Sequence, residues 1–240
     1  MPNATATSSP FTVMEAGFRI IPGKEQAFFE RQGATVPVAM EQPGFVSVYG
    51  GPILDSTWLY FGVRFDRADA MDAWQHHAHH REVQRLAYEK WWTAVYIRKW
   101  RRLAADEAET DRYMLELRLR TPSPLAEDPL RSLRTILETL RHAGAARFET
   151  LSGEHEPQPW QFVGPLEIAP SDGTVLYSLI THWTSRYDAD RWLRSAACDA
   201  LRRLGEVESE LFVAMPESGH RERLRADRLQ RQWTRGDSAG

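Results

Sequence analysis

The sequence predicts an α+β protein made of two tandem ferredoxin-like (βαββαβ) repeats whose sheets pack against each other within one chain. The first observation is an internal similarity, because residues 58–74 lie over residues 175–192 with an offset of 118, and such self-similarity is typical of duplicated units. The second is the order of elements, since each copy runs from an alternating apolar strand through a polar turn into an amphipathic helix that carries a tryptophan, Trp74 or Trp192. The third is length, since 240 residues fit one large or two small domains.

Composition limits the class of protein. Hydrophobic residues make up 42% of the chain and charged residues 26%, and a net charge of −3 gives no electrostatic reason to expect nucleic acid or anionic lipid as a partner. Cys198 is the only cysteine, so no internal disulfide can form, and a reducing cytoplasm is the expected location. The first ten residues lack a signal-peptide pattern, and no apolar run reaches the roughly 18 residues of a membrane span. We therefore expect a cytoplasmic protein with no membrane partner.

The first repeat is expected over residues 10–102. It opens with the strand FTVMEAGFRI, residues 11–20, whose side chains alternate between two faces. A helix follows, and then a second strand at 42–51. The segment 58–74 supplies the third strand and the start of the second helix, and AVYIRKW, residues 94–100, supplies the last strand.

The second repeat is expected over residues 112–216. Its first strand is YMLELRLR, residues 113–120, and its last is ELFVAM, residues 210–215. The helix between the first two strands is predicted from an N-cap at Asp128, a leucine stripe and a terminating Gly144. That stripe consists of Leu130, Leu133, Leu137 and Leu140.

Two segments lie outside the repeats. Residues 101–111 are small and charged and predict a linker. Residues 217–240 are rich in arginine and poor in apolar residues, which predicts a tail that is dispensable for folding. WQFVGP, residues 160–165, lies in a long connection of the second repeat and is interpreted as a lid or a packing loop.

Each repeat needs a partner for one face of its sheet. In a ferredoxin-like unit the helices cover only one face of the antiparallel sheet. The other face, which the alternation predicts to be apolar, must be covered by a second sheet, and the second repeat supplies it.

A histidine cluster is the most unusual local feature of the chain. AWQHHAHHREVQ places His76, His77, His79 and His80 within five positions. Histidines spaced three or four apart on a helix can ligate a transition metal, although a stable site needs further ligands, for which His182 is a distant candidate. The sequence has no dinucleotide fingerprint, phosphate loop or Gly-x-Ser-x-Gly elbow, which argues against nicotinamide, nucleotide and serine-hydrolase chemistry.

Residues 11–100 resemble the antibiotic biosynthesis monooxygenase domain of the dimeric α/β barrel superfamily. The resemblance rests mainly on FDRADAMDAWQHHAHHREVQRLAYEKWWTAVYIRKW, in which a tryptophan, two histidines, a glutamine and a Trp-rich stretch before a Tyr-x-Ile strand occupy the family positions. Those residues are Trp74, His77, His80, Gln84, Trp91, Tyr96 and Ile97. The second half is similar only in layout.

This chain departs from the family pattern at the histidines. A Pro-Glu pair often separates the two pattern histidines, and here Ala78 and His79 stand there. Without the proline the helix is expected to run through the cluster, which makes His76 and His80 neighbours at i,i+4. The corresponding segment of the second half, WLRSAACDALRR, has no histidine, so any site of this kind is expected in the first repeat only.

The resemblance implies a cofactor-independent monooxygenase of bacterial secondary metabolism that oxidises an aromatic polyketide-like substrate with O₂. Such an enzyme needs a base, an oxyanion donor and a dry aromatic pocket. His77 or His80 is the candidate base, and Arg64, which projects opposite to its neighbours on the third strand, is the candidate oxyanion donor. The candidate substrate-binding residues are Trp74, Trp58, Tyr60 and Trp91.

Other interpretations stay open from the sequence. Some relatives in the superfamily bind haem through a histidine of this second helix, so a haem- or metal-dependent enzyme using residues 76–80 is one alternative. A non-catalytic ligand-binding or assembly protein is another. His77 and His80 could instead shape a helix bend or the repeat interface while His76 and His79 face solvent. The tryptophans could fill the core and the interface between the sheets. The molecule is expected to be a monomeric pseudo-dimer or a homodimer.

Overall fold

The computed structural model of the protein describes residues 11–104, 110–146, 159–171 and 173–215. The predicted tail, residues 217–240, and the middle of the predicted linker lie outside these ranges. No helix in the described ranges is both long enough and apolar enough to cross a membrane.

The first half contains the predicted order of strands, with its second helix divided in two. Its elements are β1 (Thr12–Ile20), α1 (Glu25–Met40), β2 (Phe45–Pro52), β3 (Leu59–Phe65), α2 (Ala68–His76), α3 (Ala78–Lys90) and β4 (Trp92–Arg102).

The second half repeats this order with additional short strands. Its elements are β5 (Tyr113–Thr121), α4 (Glu127–Ala143), β6 (Ala145–Ala146), β7 (Trp160–Val163), β8 (Glu167–Ala169), β9 (Val175–Trp183), α5 (Arg186–Leu193), α6 (Ala196–Arg202) and β10 (Glu206–Ala214). The segment interpreted from sequence as a lid or packing loop is thus largely the strand β7, which pairs with β9.

Within the described ranges the strands form one curled antiparallel sheet in the order β6-β9-β5-β10-β4-β1-β3-β2-β8, with β7 also on β9. The two halves are joined on one side by β4 and β10. On the other side β2 pairs with β8, and Ile53 bridges Val163 of β7. The architecture is therefore an α+β half-barrel, consistent with a dimeric α/β barrel fold.

Helices cover the outer face of the sheet in both halves. In the first half, α1, α2 and α3 pack on outer residues such as Met14, Val63 and Val95. In the second half, α4, α5 and α6 pack on outer residues such as Leu117 and Leu179. The expectation that helices lie on one face of each sheet is met.

The inner face is apolar only in part, whereas the sequence predicted an apolar surface. Apolar inner residues are present, but Glu15, Arg64, Glu116 and His182 are also there, each at most 7% exposed. These charges tolerate burial because each has a partner of opposite or complementary character within the barrel. Single-strand alternation could not reveal pairs that form only between strands of different halves.

The helix α4 begins earlier than predicted. Its N-cap is Ala126, and Asp128 lies in the first turn, where its negative charge favours the helix N-terminus. The predicted end is confirmed, since Gly144 has φ of 96° in the left-handed region. Pro129 at a first-turn position has no hydrogen bond to lose.

Candidate functional site

The second helix of the first half breaks inside the histidine cluster, so the expectation of a continuous helix was wrong. His77 is both the C-cap of α2 and the N-cap of α3, with φ −59° and ψ 133°. His76 and His80 therefore lie on different helices and are not i,i+4 neighbours of one helix. The second half breaks at the corresponding residue, Ser195, whose side chain caps α6.

The break places three rings in one stack. On a continuous helix, at about 100° per residue, His80 would lie about 120° around the helix from Trp74. In the structure the Trp74 ring stacks on His80 with centroids 4.6 Å apart and on His77 with centroids 5.7 Å apart. The backbone turn at His77 thus brings His80 to the side of the helix pair that faces the sheet.

His80 has the electrostatics of a neutral imidazole. It is 8% exposed, and its Nδ1 is buried with no hydrogen-bond partner among the described residues. Burial lowers its pKa to about 4 and outweighs a hydrogen bond with the Gln75 backbone, which raises the pKa. At neutral pH the ring is therefore uncharged and able to accept a proton or bind an electrophile.

A cavity of about 50 Å³ lies beside His80, between α1, α3 and the outer face of β1, β3 and β4. Trp74, Phe61 and Trp92 contribute aromatic walls. Its polar side chains come from the helices and are Gln32, Thr35, His80 and Gln84. The cavity is therefore apolar on the side of the sheet, and its polar side chains lie on the side of the helices.

The other two histidines are held by separate contacts. The Nδ1 of the exposed His76 lies 2.7 Å from the carbonyl oxygen of Asp72. The Nε2 of His79 lies 3.3 Å from the hydroxyl of Thr35 on α1. Among the residues that the structure describes, no three His, Cys, Asp or Glu side chains are grouped so as to hold a metal ion.

The predicted site residues fall into two places. Trp74 and His80 line the cavity, whereas His77 stacks on Trp74 without lining it. Trp91 packs nearby against Phe28, with ring centroids 6.2 Å apart, and does not line the cavity either. The structure brings the two candidate bases and one candidate aromatic residue together.

Arg64, Trp58 and Tyr60 lie on the inner face of the barrel, on the opposite side of the sheet. Arg64 is 4% exposed and pairs with Glu116 and, at 3.1 Å, with Glu210. Trp58 and Tyr60 belong to the inner core. Since successive residues of β3 point to opposite faces, Arg64 cannot share the cavity with its neighbour Val63.

Sequence reasoning missed a buried polar cluster in the barrel. Glu15 Oε2 accepts a hydrogen bond from Trp100 Nε1 at 2.6 Å and lies 3.1 Å from His182 Nε2. Ser178 donates to Glu116 at 3.0 Å. A signal was available, because Glu15 and Glu116 each stand between two apolar neighbours in the middle of the first strand of their half.

The second half has no equivalent of the cavity-side histidine. At the offset of the repeat, Trp192 corresponds to Trp74 and Cys198 to His80. Trp192 Nε1 donates to Thr139 at 3.2 Å, and Cys198 is fully buried in the apolar core.

Comparison with known proteins supports the fold. No protein-family model matches the sequence, and no curated protein matches it. Among solved structures, an aldoxime dehydratase is similar with a TM-score of 0.50 and 12% identity, over 89% of this chain and 84% of that one. A likeness at this identity shows the fold alone.

Two further structures are similar at lower scores. A monooxygenase candidate from Fusobacterium nucleatum has a TM-score of 0.38 and 8% identity, over 86% of this chain and 93% of that one. An anthrone oxidase-like protein has a TM-score of 0.35 and 14% identity, over 87% and 92%.

Proposed function

We propose that this protein is a cofactor-independent monooxygenase that oxidises an aromatic polyketide-like substrate with O₂ in bacterial secondary metabolism. The observation that carries the proposal is His80, a buried and neutral imidazole that borders an aromatic-walled cavity and is held there by Trp74. A neutral base in a dry aromatic site is what the first step of this chemistry requires.

The proposal includes the architecture. The two halves are tandem ferredoxin-like repeats, residues 10–102 and 112–216, that form an intrachain dimeric α/β barrel. The shared element order and the helix breaks at His77 and Ser195 support this interpretation. The reaction site belongs to the first repeat alone, in a cytoplasmic protein that works as a monomeric pseudo-dimer.

The chemistry begins with proton transfer. The substrate hydroxyl gives its proton to His80, and the resulting phenolate faces the new imidazolium. Their attraction raises the pKa of His80 in the complex, which compensates for the low value in the free protein. The anion passes an electron to O₂, the two radicals combine to a peroxide, and the His80 imidazolium returns its proton to the peroxide oxygen. The hydroperoxide then loses the hydrogen on its carbon and its outer oxygen as water, which leaves a quinone carbonyl and a neutral His80.

Substrate entry requires the helices to separate. Pockets for drug-sized ligands occupy about 300–1,000 Å³, whereas this cavity is about 50 Å³. A hydrogen bond joins the two helices beside the cavity, between Thr35 on α1, which lines it, and His79 on α3. We expect a polycyclic substrate to displace α1 from α3 as it binds.

The test is oxidation of a polycyclic phenol or anthrone by the purified protein, followed by O₂ consumption and quinone absorbance. Replacing His80 by Gln, which cannot take up a proton near neutrality, should lower turnover by about 10²-fold or more. His76→Gln is the matched control and should retain activity, because His76 is exposed outside the cavity. Equal activity of both variants would rule out His80 as the base.

A haem enzyme is a second candidate. The observation in its favour is again His80, because a neutral imidazole with a buried Nδ1 that has no partner among the described residues is a suitable iron ligand. The cavity as it stands is too small for a porphyrin, as it is for a polycyclic substrate, so this arrangement does not fit bound haem and we derive no step through it. A Soret band in the purified protein would establish haem binding and overturn the cofactor-free proposal.

Arg64 is not part of the proposed reaction site. Its two glutamate partners and its position inside the barrel favour a structural role.

A ligand-binding function is the remaining alternative. Binding of the polycyclic probe by the purified protein without consumption of O₂ would indicate that function instead.

A further inference from the structure

We propose that the centre of the barrel contains a binding site for water, formed by Glu15 and Tyr60 of the first half and Gln161 of the second. This site lies on the inner face of the sheet, opposite to the cavity beside His80, and is independent of the proposed reaction.

Three buried polar atoms carry the inference. They are Glu15 Oε1, the Tyr60 hydroxyl and Gln161 Nε2, and none has a hydrogen-bond partner among the described residues. Glu15 and Gln161 are 0% exposed and Tyr60 is 1% exposed. Bulk solvent therefore does not reach them, and buried polar groups of this kind are usually satisfied by internal water.

The strand register brings the first two groups together around Gly17. On β1, Gly17 lies opposite Tyr60 of β3 and opposite Tyr96 of β4, and Glu15 is two residues away on the same face. Gly17 has no side chain, and a Cβ there would collide with the Tyr96 ring. Burial raises the pKa of Tyr60, and the nearby charge of Glu15 contributes to this rise.

The third group reaches the same place from the other half. Gln161 of β7 lies opposite Ile180 of β9, and its Oε1 accepts a hydrogen bond from Tyr96 at 2.5 Å. His182, two residues along β9 on the same face, lies 3.1 Å from Glu15 Oε2. A Cβ at Gly17 would lie 2.7 Å from the Tyr96 hydroxyl that donates to Gln161, so the Gln161 amide lies beside Gly17, on the face that Glu15 and Tyr60 share.

The chemistry of the three groups selects water. The carboxylate oxygen of Glu15 only accepts hydrogen bonds, the Nε2 of Gln161 only donates them, and the Tyr60 hydroxyl does both. A small neutral molecule with both donor and acceptor capacity satisfies all three. Arg98, opposite Glu15 on β4, offsets part of the negative charge of Glu15, so the site favours a small neutral ligand over an ion.

The sign of a melting-temperature change tests the proposal. Tyr60→Phe removes only the hydroxyl. If that hydroxyl is bonded to water, the melting temperature of the full chain should fall by roughly 2–4 °C, as expected for one lost hydrogen bond. If the hydroxyl is unbonded, its removal relieves a desolvation cost, and the melting temperature should stay constant or rise.

A buried tyrosine of the second half provides the matched control. Tyr177 is 3% exposed, and its hydroxyl accepts a hydrogen bond from the Leu125 amide at 2.9 Å. Tyr177→Phe should therefore lower the melting temperature. A fall for Tyr177→Phe with none for Tyr60→Phe would overturn the proposal.

A crystal structure of the unmodified chain gives a second and independent readout. We expect ordered water within hydrogen-bond distance of at least two of the three atoms. Direct bonding among Glu15, Tyr60 and Gln161, or a side chain from outside the described ranges in that position, would overturn the proposal.

Discussion

The acid sensitivity of the fold should depend on His80. An unfolded histidine has a pKa near 6.5, whereas burial lowers the pKa of His80 in the folded protein to about 4. Between these values the unfolded chain binds more protons than the folded protein, so the free energy of unfolding falls as the pH falls. Protonation of His80 in the unfolded chain therefore costs almost no stability above about pH 7, and the cost grows progressively as the pH falls toward 4.

The magnitude follows from the two pKa values. Going from pH 7.5 to pH 5, preferential protonation of the unfolded state should cost about 2 kcal/mol of stability through this one group. His80→Gln removes that titration. Relative to the His80→Gln variant, the unmodified protein should therefore lose about 2 kcal/mol of unfolding free energy between pH 7.5 and pH 5.

The assay is urea unfolding followed by tryptophan fluorescence at pH 7.5, 6 and 5. The chain has nine tryptophans, so the signal is strong. His76→Gln is the control, because the exposed His76 ring has no burial cost to relieve. A stability difference for His80→Gln that is constant from pH 7.5 to 5 would refute the burial argument, and with it the neutral base in the proposed site.

Two further predictions concern the sheet and α1, both measured as changes in the free energy of unfolding. Arg64→Met should cost about 3–5 kcal/mol, because it leaves the buried Glu116 without its charge partner. Arg134→Met is the control and should cost almost nothing, because Arg134 belongs to an exposed ion pair. Equal effects of the two substitutions would contradict this prediction. Gly33→Ala should stabilise the protein by about 0.5–1 kcal/mol, since a Cβ at Gly33 within α1 would meet no other atom. Gly17→Ala should destabilise the protein, because its Cβ would collide with the Tyr96 ring. A stabilising effect of both substitutions would contradict this prediction.

The element order was predictable because it depends on local periodicity. The alternation in residues 11–20 and 113–120 corresponds closely to β1 and β5, and the leucine stripe ending at Gly144 corresponds to α4. These patterns are carried by neighbouring residues, so one sequence is sufficient to detect them.

The inner face was not predictable in the same way. The burial of Glu15 depends on His182, and that of Arg64 on Glu116 and Glu210, all from the other half. Periodicity assigns a residue to a face of its strand, but it does not identify what lies across a barrel. The interior was therefore predicted to be apolar when it is partly charged.

The candidate site was predicted in part. The sequence identified Trp74, His77 and His80 together, and the structure places them in one stack. The sequence allowed both a continuous helix and a bend shaped by His77 and His80, and no proline or glycine marks the break that the structure shows at His77. In the second half Ser195 offered a capping signal at the equivalent position, and comparing the two halves there would have predicted the break.

The two halves that meet where β4 pairs with β10 belong to one chain, so a residue present in one half need not be present in the other. In a symmetric homodimer every substitution occurs twice, so a residue useful in one subunit must be tolerated in both. Here each half is encoded once, and Cys198 in the second half stands where His80 stands in the first. The second half buries Cys198 in an apolar core, whereas the first half places the His80 ring beside a cavity.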